Sequence, residues 1–296
     1  MPNTLAHLGV QALVTRGVMP GADLKWIYLG CVLPDAPWIL QRAVRATFPD
    51  VPLYDLRLYV IAQSALFACL LLAGALSCLS VRPGRVFAML ALGSVLHLLM
   101  DALQTKWANG VHLFAPLTWE MLNFGLFWPE DLPSYALTAL GLGYFVYAWW
   151  RLPYGADDLV RPRGRRLALG GALVAVYLVL PVALISGPEA ADNHFVKTLR
   201  EVEQRPGRAL ELDRRPYVKR DGGDVLVTMS REELDVEGPT PEASAEVSIR
   251  GRFVDRDTVR ILELHVHSSW FRDLSSYLGL GFVLAYWARC LASLCR

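Results

Sequence analysis

The sequence predicts a mainly α-helical integral membrane bundle of about five transmembrane helices, with N-terminal re-entrant or interfacial helices and a small antiparallel β domain inserted before the last span. Three features carry that reading. Hydrophobic residues make up 54% of the 296 residues and the mean hydropathy is +0.32, more apolar than a soluble domain of this length requires. Five apolar runs reach membrane-spanning length. Between the fourth and fifth, a charged stretch switches to period-two alternation.

A bilayer's hydrocarbon core is about 30 Å thick and a helix rises about 1.5 Å per residue, so a span takes roughly 17 to 25 apolar residues. Residues 58–79, 86–103, 134–150, 167–185 and 277–294 meet this requirement. Lys and Arg in short loops mark the cytoplasmic side. Arg82 and Arg85 separate the first two spans, and Arg151, Arg161, Arg163, Arg165 and Arg166 separate the third from the fourth. Both loops are expected in the cytoplasm, and loop 104–133, with one Lys and three acidic residues, on the opposite side. Residues 187–275 then form an extracytoplasmic domain. The N-terminal part holds two apolar stretches, 5–14 and 26–40, the second interrupted by Pro34, Asp35 and Pro37. Each is too short or too broken to span, which suits re-entrant or interfacial helices packed on the bundle. No removable signal peptide is expected. The chain thus divides into a bundle (1–186), a β-rich domain (187–275) and a C-terminal helix (276–296).

Within the polar part, residues 224–229, 246–253 and 258–267 alternate apolar and polar positions between Gly and Pro breaks, the pattern of antiparallel strands. A small sandwich or a partly open barrel of the OB type fits that length.

Chemistry concentrates in the second span. His97 and Asp101 are four apart, so a helix sets imidazole and carboxylate on one face, inside a membrane, where ionisable groups are costly and mark function by default. His112 follows in a loop whose Gly110 and Pro116 allow it to fold back over the helix end. His7 and Asp35 are the candidates from the N-terminal part. Imidazole and carboxylate donors with an open position suit a divalent metal ion, zinc first, that activates water for ester or phosphoester cleavage. The expected ligands are His7, Asp35, His97, Asp101 and His112, with Asp35 or Asp101 as the carboxylate base. The structural alternative is a hydrogen-bonded His97–Asp101 pair that fixes helix packing, interfacial anchors at His7 and His112, and a turn or N-cap at Asp35.

His7, the Leu33-Pro34-Asp35 turn, and His97-x-x-x-Asp101 followed by Gly110-Val111 and Pro116 resemble, in kind and order, the motifs of the bacterial inner-membrane metal-dependent hydrolases also described as LexA-binding. The resemblance covers residues 3–119 and implies a metal-dependent hydrolase of the bacterial inner (cytoplasmic) membrane. Where that family's LPDxD turn has its second acid, this chain has Pro37, and the central HRGxTHS stretch is absent, Ala62-Gln63-Ser64 being its nearest counterpart. The remaining residues imply a single-metal or degenerate site.

Other classes find no support. The net charge of +1 gives no overall bias toward nucleic acid, and no nucleotide-binding loop or serine-hydrolase elbow is present. Cys31, Cys69, Cys78, Cys290 and Cys295 lie in or beside apolar stretches at no metal-type spacing, so buried, inert roles are expected. His265 and His267 share a strand face and read as solvated, His194 stands alone, and tryptophans such as Trp107 and Trp128 read as an interfacial belt. A site at the bilayer edge points to a lipid or lipid-linked substrate. The rival reading is a non-catalytic membrane scaffold whose β domain binds a protein partner. The lack of an inverted repeat argues against a transporter.

Overall fold

The computed structural model describes residues 3–152, 158–268 and 270–292. Helices α1 (Thr4–Val18), α2 (Leu24–Val32), α3 (Ala36–Thr47), α4 (Leu53–Ser64), α5 (Leu66–Ser77), α6 (Pro83–Leu103), α7 (Leu132–Arg151) and α8 (Arg165–Leu184) come first. Two short helices, α9 (Ser186–Ala190) and α10 (Val196–Arg200), lead into strands β1 (Ala209–Val218), β2 (Val225–Val227), β3 (Glu233–Glu237), β4 (Ala245–Phe253) and β5 (Thr258–His267). Helix α11 (Trp270–Ala292) follows.

Three helical stretches among the described residues are long and apolar enough to cross a membrane: α6, α8 continued through α9, and α11. A fourth is added if α4 and α5 count as one bent span. Five were expected. Helix α7 has the length, but its tyrosines and tryptophans lower its hydropathy. The expected span 58–79 is two helices bent by 65°. Ala65 between them is extended (φ −66°, ψ 155°), and the Leu66 N–H, deprived of a helical acceptor, donates to the His112 carbonyl at 3.2 Å. Helix α8 exposes Leu167, Leu169, Leu178, Val179 and Val182 to its surroundings, an apolar face of a kind soluble monomers rarely present.

Helices α1 and α2 pack inside the bundle rather than on its surface. His7 meets Asp101 at the end of α6, and Pro20, beyond the other end of α1, accepts from Arg85 at the start of α6. Helix α1 therefore runs the depth of the bundle, and α2 returns to bring the Cys31 carbonyl to His97. The α1–α2 hairpin is buried in the bundle. Glycines permit its close packing: a methyl group on Gly9 would collide with Gly141 of α7, and one on Gly93 of α6 would sit 3.0 Å from the Gly30 carbonyl carbon of α2. The bundle core gathers Leu8, Trp26, Tyr28, Leu90 and Tyr286. Cys31, Cys69, Cys78 and Cys290 are buried and free, as expected, while Cys295 lies outside the described residues.

Both arginine-bearing loops meet at one end of the bundle, where Ser80 pairs with Leu159. At the other end sits the β domain, a closed barrel in the order β1-β2-β3-β5-β4. It is not wholly antiparallel, because β3 and β5 run parallel with Asp235 opposite Thr258. Strand β1 escaped the alternation pattern because its register shifts between Leu212 and Arg215. Leu210, Tyr217, Leu226, Val247, Ile249 and Val259 fill the barrel, and Leu58 of α4 with Val196 and Leu199 of α10 joins that core. Helix α4 is thus the floor of the barrel as much as part of the bundle.

Candidate metal centre and its cavity

Helix α6 sets His97 and Asp101 one turn apart, and α1 lays the His7 ring parallel to that of His97, with centroids 4.0 Å apart. The three side chains each offer a ligand atom within 4.8 Å of the others, and all three are buried. His7 Nε2 lies 3.2 Å from Asp101 Oδ1, and His97 Nε2 lies 3.9 Å from Asp101 Oδ2 and 3.5 Å from Asp35 Oδ1. Asp35 arrives on the 3-10 turn Leu33–Asp35 at the end of α2.

His97 Nδ1 is 2.6 Å from the Cys31 carbonyl oxygen, which can only accept, so Nδ1 carries a proton and, in the neutral ring, Nε2 presents a lone pair. That Nε2 and the facing Asp35 Oδ1 are buried without a hydrogen-bond partner among the described residues. Two such acceptors repel at 3.5 Å unless a cation or proton lies between them. Ligand bonds of about 2.1 Å to one shared ion also produce the 3.2 Å and 3.9 Å separations of His7 and His97 from Asp101, so these three donors fit a divalent metal.

His97, Asp101 and Asp35 line one wall of a cavity of about 310 Å³ between bundle and barrel, with His7 buried behind them. Loop 104–131 folds over the end of α6, as Gly110 and Pro116 suggested, and Val111 packs on Leu98 and Ala102. The loop brings Lys106 Nζ to 3.3 Å from Asp101 Oδ2. His112 also lines the cavity but is not drawn into the ligand group. Its Nε2 accepts from Asn193 Nδ2 at 2.8 Å, and burial lowers its pKa to about 4. His194, alone in the sequence, borders the same cavity; burial and the nearby charge of Arg57 push its pKa well below the ordinary value. Asp213, Arg214 and Arg215 of the β1 bulge form the opposite wall. Sequence reasoning missed them because β1 lacked the alternation that marks a strand, although Arg57 at the edge of an apolar run was a visible signal. A smaller cavity of about 90 Å³ shares Asp35, Trp38, Arg42 and Arg272 with the first and runs between α3 and α11 past Ile39, Tyr277 and Leu280.

A second group of potential metal ligands, Glu130, His265 and His267, joins the loop to the barrel. The strand face expected to be solvated is covered. His267 Nδ1 lies 3.0 Å from Glu130 Oε1, and His265 stacks on Trp128 at 3.7 Å. Trp107 packs edge-on against Trp128 in the same junction, so these two serve the loop–barrel contact. Arg214 Nη2 already supplies a positive charge 2.6 Å from Glu130 Oε1. Ser248 Oγ, 2.7 Å from His267 Nε2, completes a Ser–His–Glu order that looks like a nucleophilic relay. Ser248, however, is fully buried and also bonded to Asp213 and the Arg214 N–H, so the relay locks the bulge.

Burial alone would raise the Glu130 pKa, but hydrogen bonds with His265 and His267 and the Arg214 charge outweigh it and hold the carboxyl well below the usual range. A depressed folded pKa stabilises above the unfolded value of about 4.3 and the gain is lost as pH falls through the lower folded value. The thermal-stability advantage of wild type over Glu130→Gln is therefore expected to be full above that pH and to shrink below it. A pH-independent gap would show that the carboxylate charge is not used there.

No family model, curated protein or solved structure matches this chain.

Proposed function

We propose that this chain is a multi-pass protein of the bacterial inner membrane and a metal-dependent hydrolase that cleaves an ester or phosphoester of a lipid-type substrate. The observation that carries the reading is the buried His7–His97–Asp101 group, with unpartnered atoms of His97 and Asp35, on the wall of a cavity. The resemblance of residues 3–119 to inner-membrane metal-dependent hydrolases supports it. Three apolar helices and the exposed face of α8 support embedding, with the arginine loops cytoplasmic and the cavity and barrel outside.

A divalent ion, zinc by its nitrogen and oxygen donors, would supply Lewis acidity toward the ester oxygen and toward water when bound. The protein's own groups do the positioning. The Cys31 carbonyl orients His97, and Lys106 and His7 hold the Asp101 carboxylate as a ligand. Asp35 is the more exposed of the two carboxylates and lines the cavity, which leaves it to accept the proton of the attacking water.

Elemental analysis of detergent-purified protein tests both assignments. Asp101→Ala is expected to lose the metal. Asp35→Asn is expected to keep it while kcat falls by about 10²–10⁴-fold. Metal loss in Asp35→Asn would move Asp35 from base to ligand, and a well-folded wild type that binds no metal would leave the scaffold reading in its place.

A further inference from the structure

The cavity beside the metal group is lined by two largely buried arginines that form no close ion pair among the described residues. Arg57 of α4 retains only 9% of its surface, and its Nε, like that of Arg215 in β1, is buried without a hydrogen-bond partner. Neither forms an ion pair within 4.0 Å among the described residues. The guanidinium of Arg57 rests 5.1 Å from the centre of the Trp38 ring instead. Removing an unpaired guanidinium from bulk water is costly, and cost of this kind is retained where a ligand offsets it.

Arg57 reaches the cavity from the bundle and Arg215 from the barrel, with Arg42 and Arg45 of α3 on the same lining. The Arg215 position is built at some expense. The register shift between Leu212 and Arg215 places Arg214 at φ 50°, a conformation L residues avoid, and Ser248 Oγ pins it by accepting from the Arg214 N–H at 3.1 Å. Carboxylates on the lining are already engaged. Asp101 belongs to the metal group and Asp35 faces it, Glu246 pairs with Arg214 at 3.3 Å, and Asp213 accepts from Asn109 at 3.1 Å while its charge also acts on Arg57 and Arg215. One carboxylate between two guanidiniums leaves an excess of positive charge, which an anion from outside would match.

We propose that the cavity binds the phosphate group of its substrate between Arg57 and Arg215, so that the bond cleaved at the adjacent metal group is a phosphoester. This rests on the hydrolase reading of the same cavity. Guanidinium pairs suit phosphate because two parallel N–H donors match two phosphate oxygens. Hydrolysis forms a bond from water oxygen to phosphorus and breaks the P–O bond to the alcohol. The water proton passes to Asp35 and a proton returns to the departing oxygen, so no further reactant is required. The neighbouring smaller cavity between α3 and α11 offers Val32, Ile39, Tyr277 and Leu280 beside its charged groups, an apolar strip that suits the alkyl chain of a lipid phosphate.

The test uses the full-length chain in maltoside micelles, with thermal unfolding and metal content measured together. Inorganic phosphate and phosphatidic acid are the ligands, and diacylglycerol is the phosphate-free control. Either phosphate compound is expected to raise the wild-type Tm, and the rise should vanish in Arg57→Met and Arg215→Met while their bound metal remains. Without ligand, both variants should unfold no lower than wild type, because an unpaired buried charge has been removed. A response to both phosphate compounds identifies the phosphate alone as the recognised element; a response to phosphatidic acid only assigns the site to a lipid headgroup. Absence of any phosphate response in metal-loaded wild type would overturn the proposal and leave the metal centre standing. So would an undiminished response in the Arg variants, or unliganded variants that unfold well below wild type. Phosphate binding by a wild type that never takes up metal would instead keep the phosphate site and remove the hydrolase reading.

Discussion

Replacing His97 with Ala is expected to strip the metal from the purified protein and to lower hydrolysis by more than about 100-fold, the upper end of what losing a mere supporting contact costs. His97 stands at the centre of the group. Its Nε2 faces both Asp35 and Asp101, its ring lies against His7, and its Nδ1 is fixed by the Cys31 carbonyl. Alanine removes the donor and also leaves that buried carbonyl without its partner, a loss of about 1–3 kcal/mol in stability. His97→Gln separates the two effects, since an amide N–H can still reach the carbonyl. It is expected to unfold closer to wild type than His97→Ala while remaining inactive. Full metal occupancy in a folded His97→Ala protein would remove the centre from this location.

Gly141→Ala is expected to cost more than about 3 kcal/mol, beyond ordinary overpacking, and to empty the metal site with no change to any ligand. The added methyl would be driven into the Leu5 carbonyl, two residues before His7, so α1 cannot keep its place along α7. Gly143 lies on the same helix with open space around it. Gly143→Ala should therefore stay within about 1 kcal/mol of wild type and favour the helix. Unfolding in detergent together with metal analysis reads both variants. Equal behaviour of the two would mean that α1 does not depend on this close approach.

Helix packing of this kind also separates what was legible in the sequence from what was not. The pairing of His97 with Asp101 was legible because four residues along a helix return to the same face whatever surrounds it. The alternating strands β4 and β5, and the change from apolar to polar composition before them, were legible for the same local reason. The identities of His7 and Asp35 as candidates came from motif order, but their convergence on His97 depends on glycine contacts that let α1 and α2 enter the bundle. His112 lay close in sequence to the group and was expected in it, yet Asn193, reached only through the chain beyond α9, holds its ring elsewhere.

The sequence by itself determined the long apolar helices, the alternating strands β4 and β5, and that one helix carries an imidazole and a carboxylate on a single face. Tertiary structure alone decided the bend at Ala65, the burial of the α1–α2 hairpin, the covered face of His265 and His267, and the meeting of Arg57 with Arg215 across the cavity. The division follows from range: periodicity is set by each residue's own backbone geometry, whereas a site assembled from α1, α2, α6 and a bulged strand exists only when distant segments are brought within a few ångströms by packing and close backbone approach.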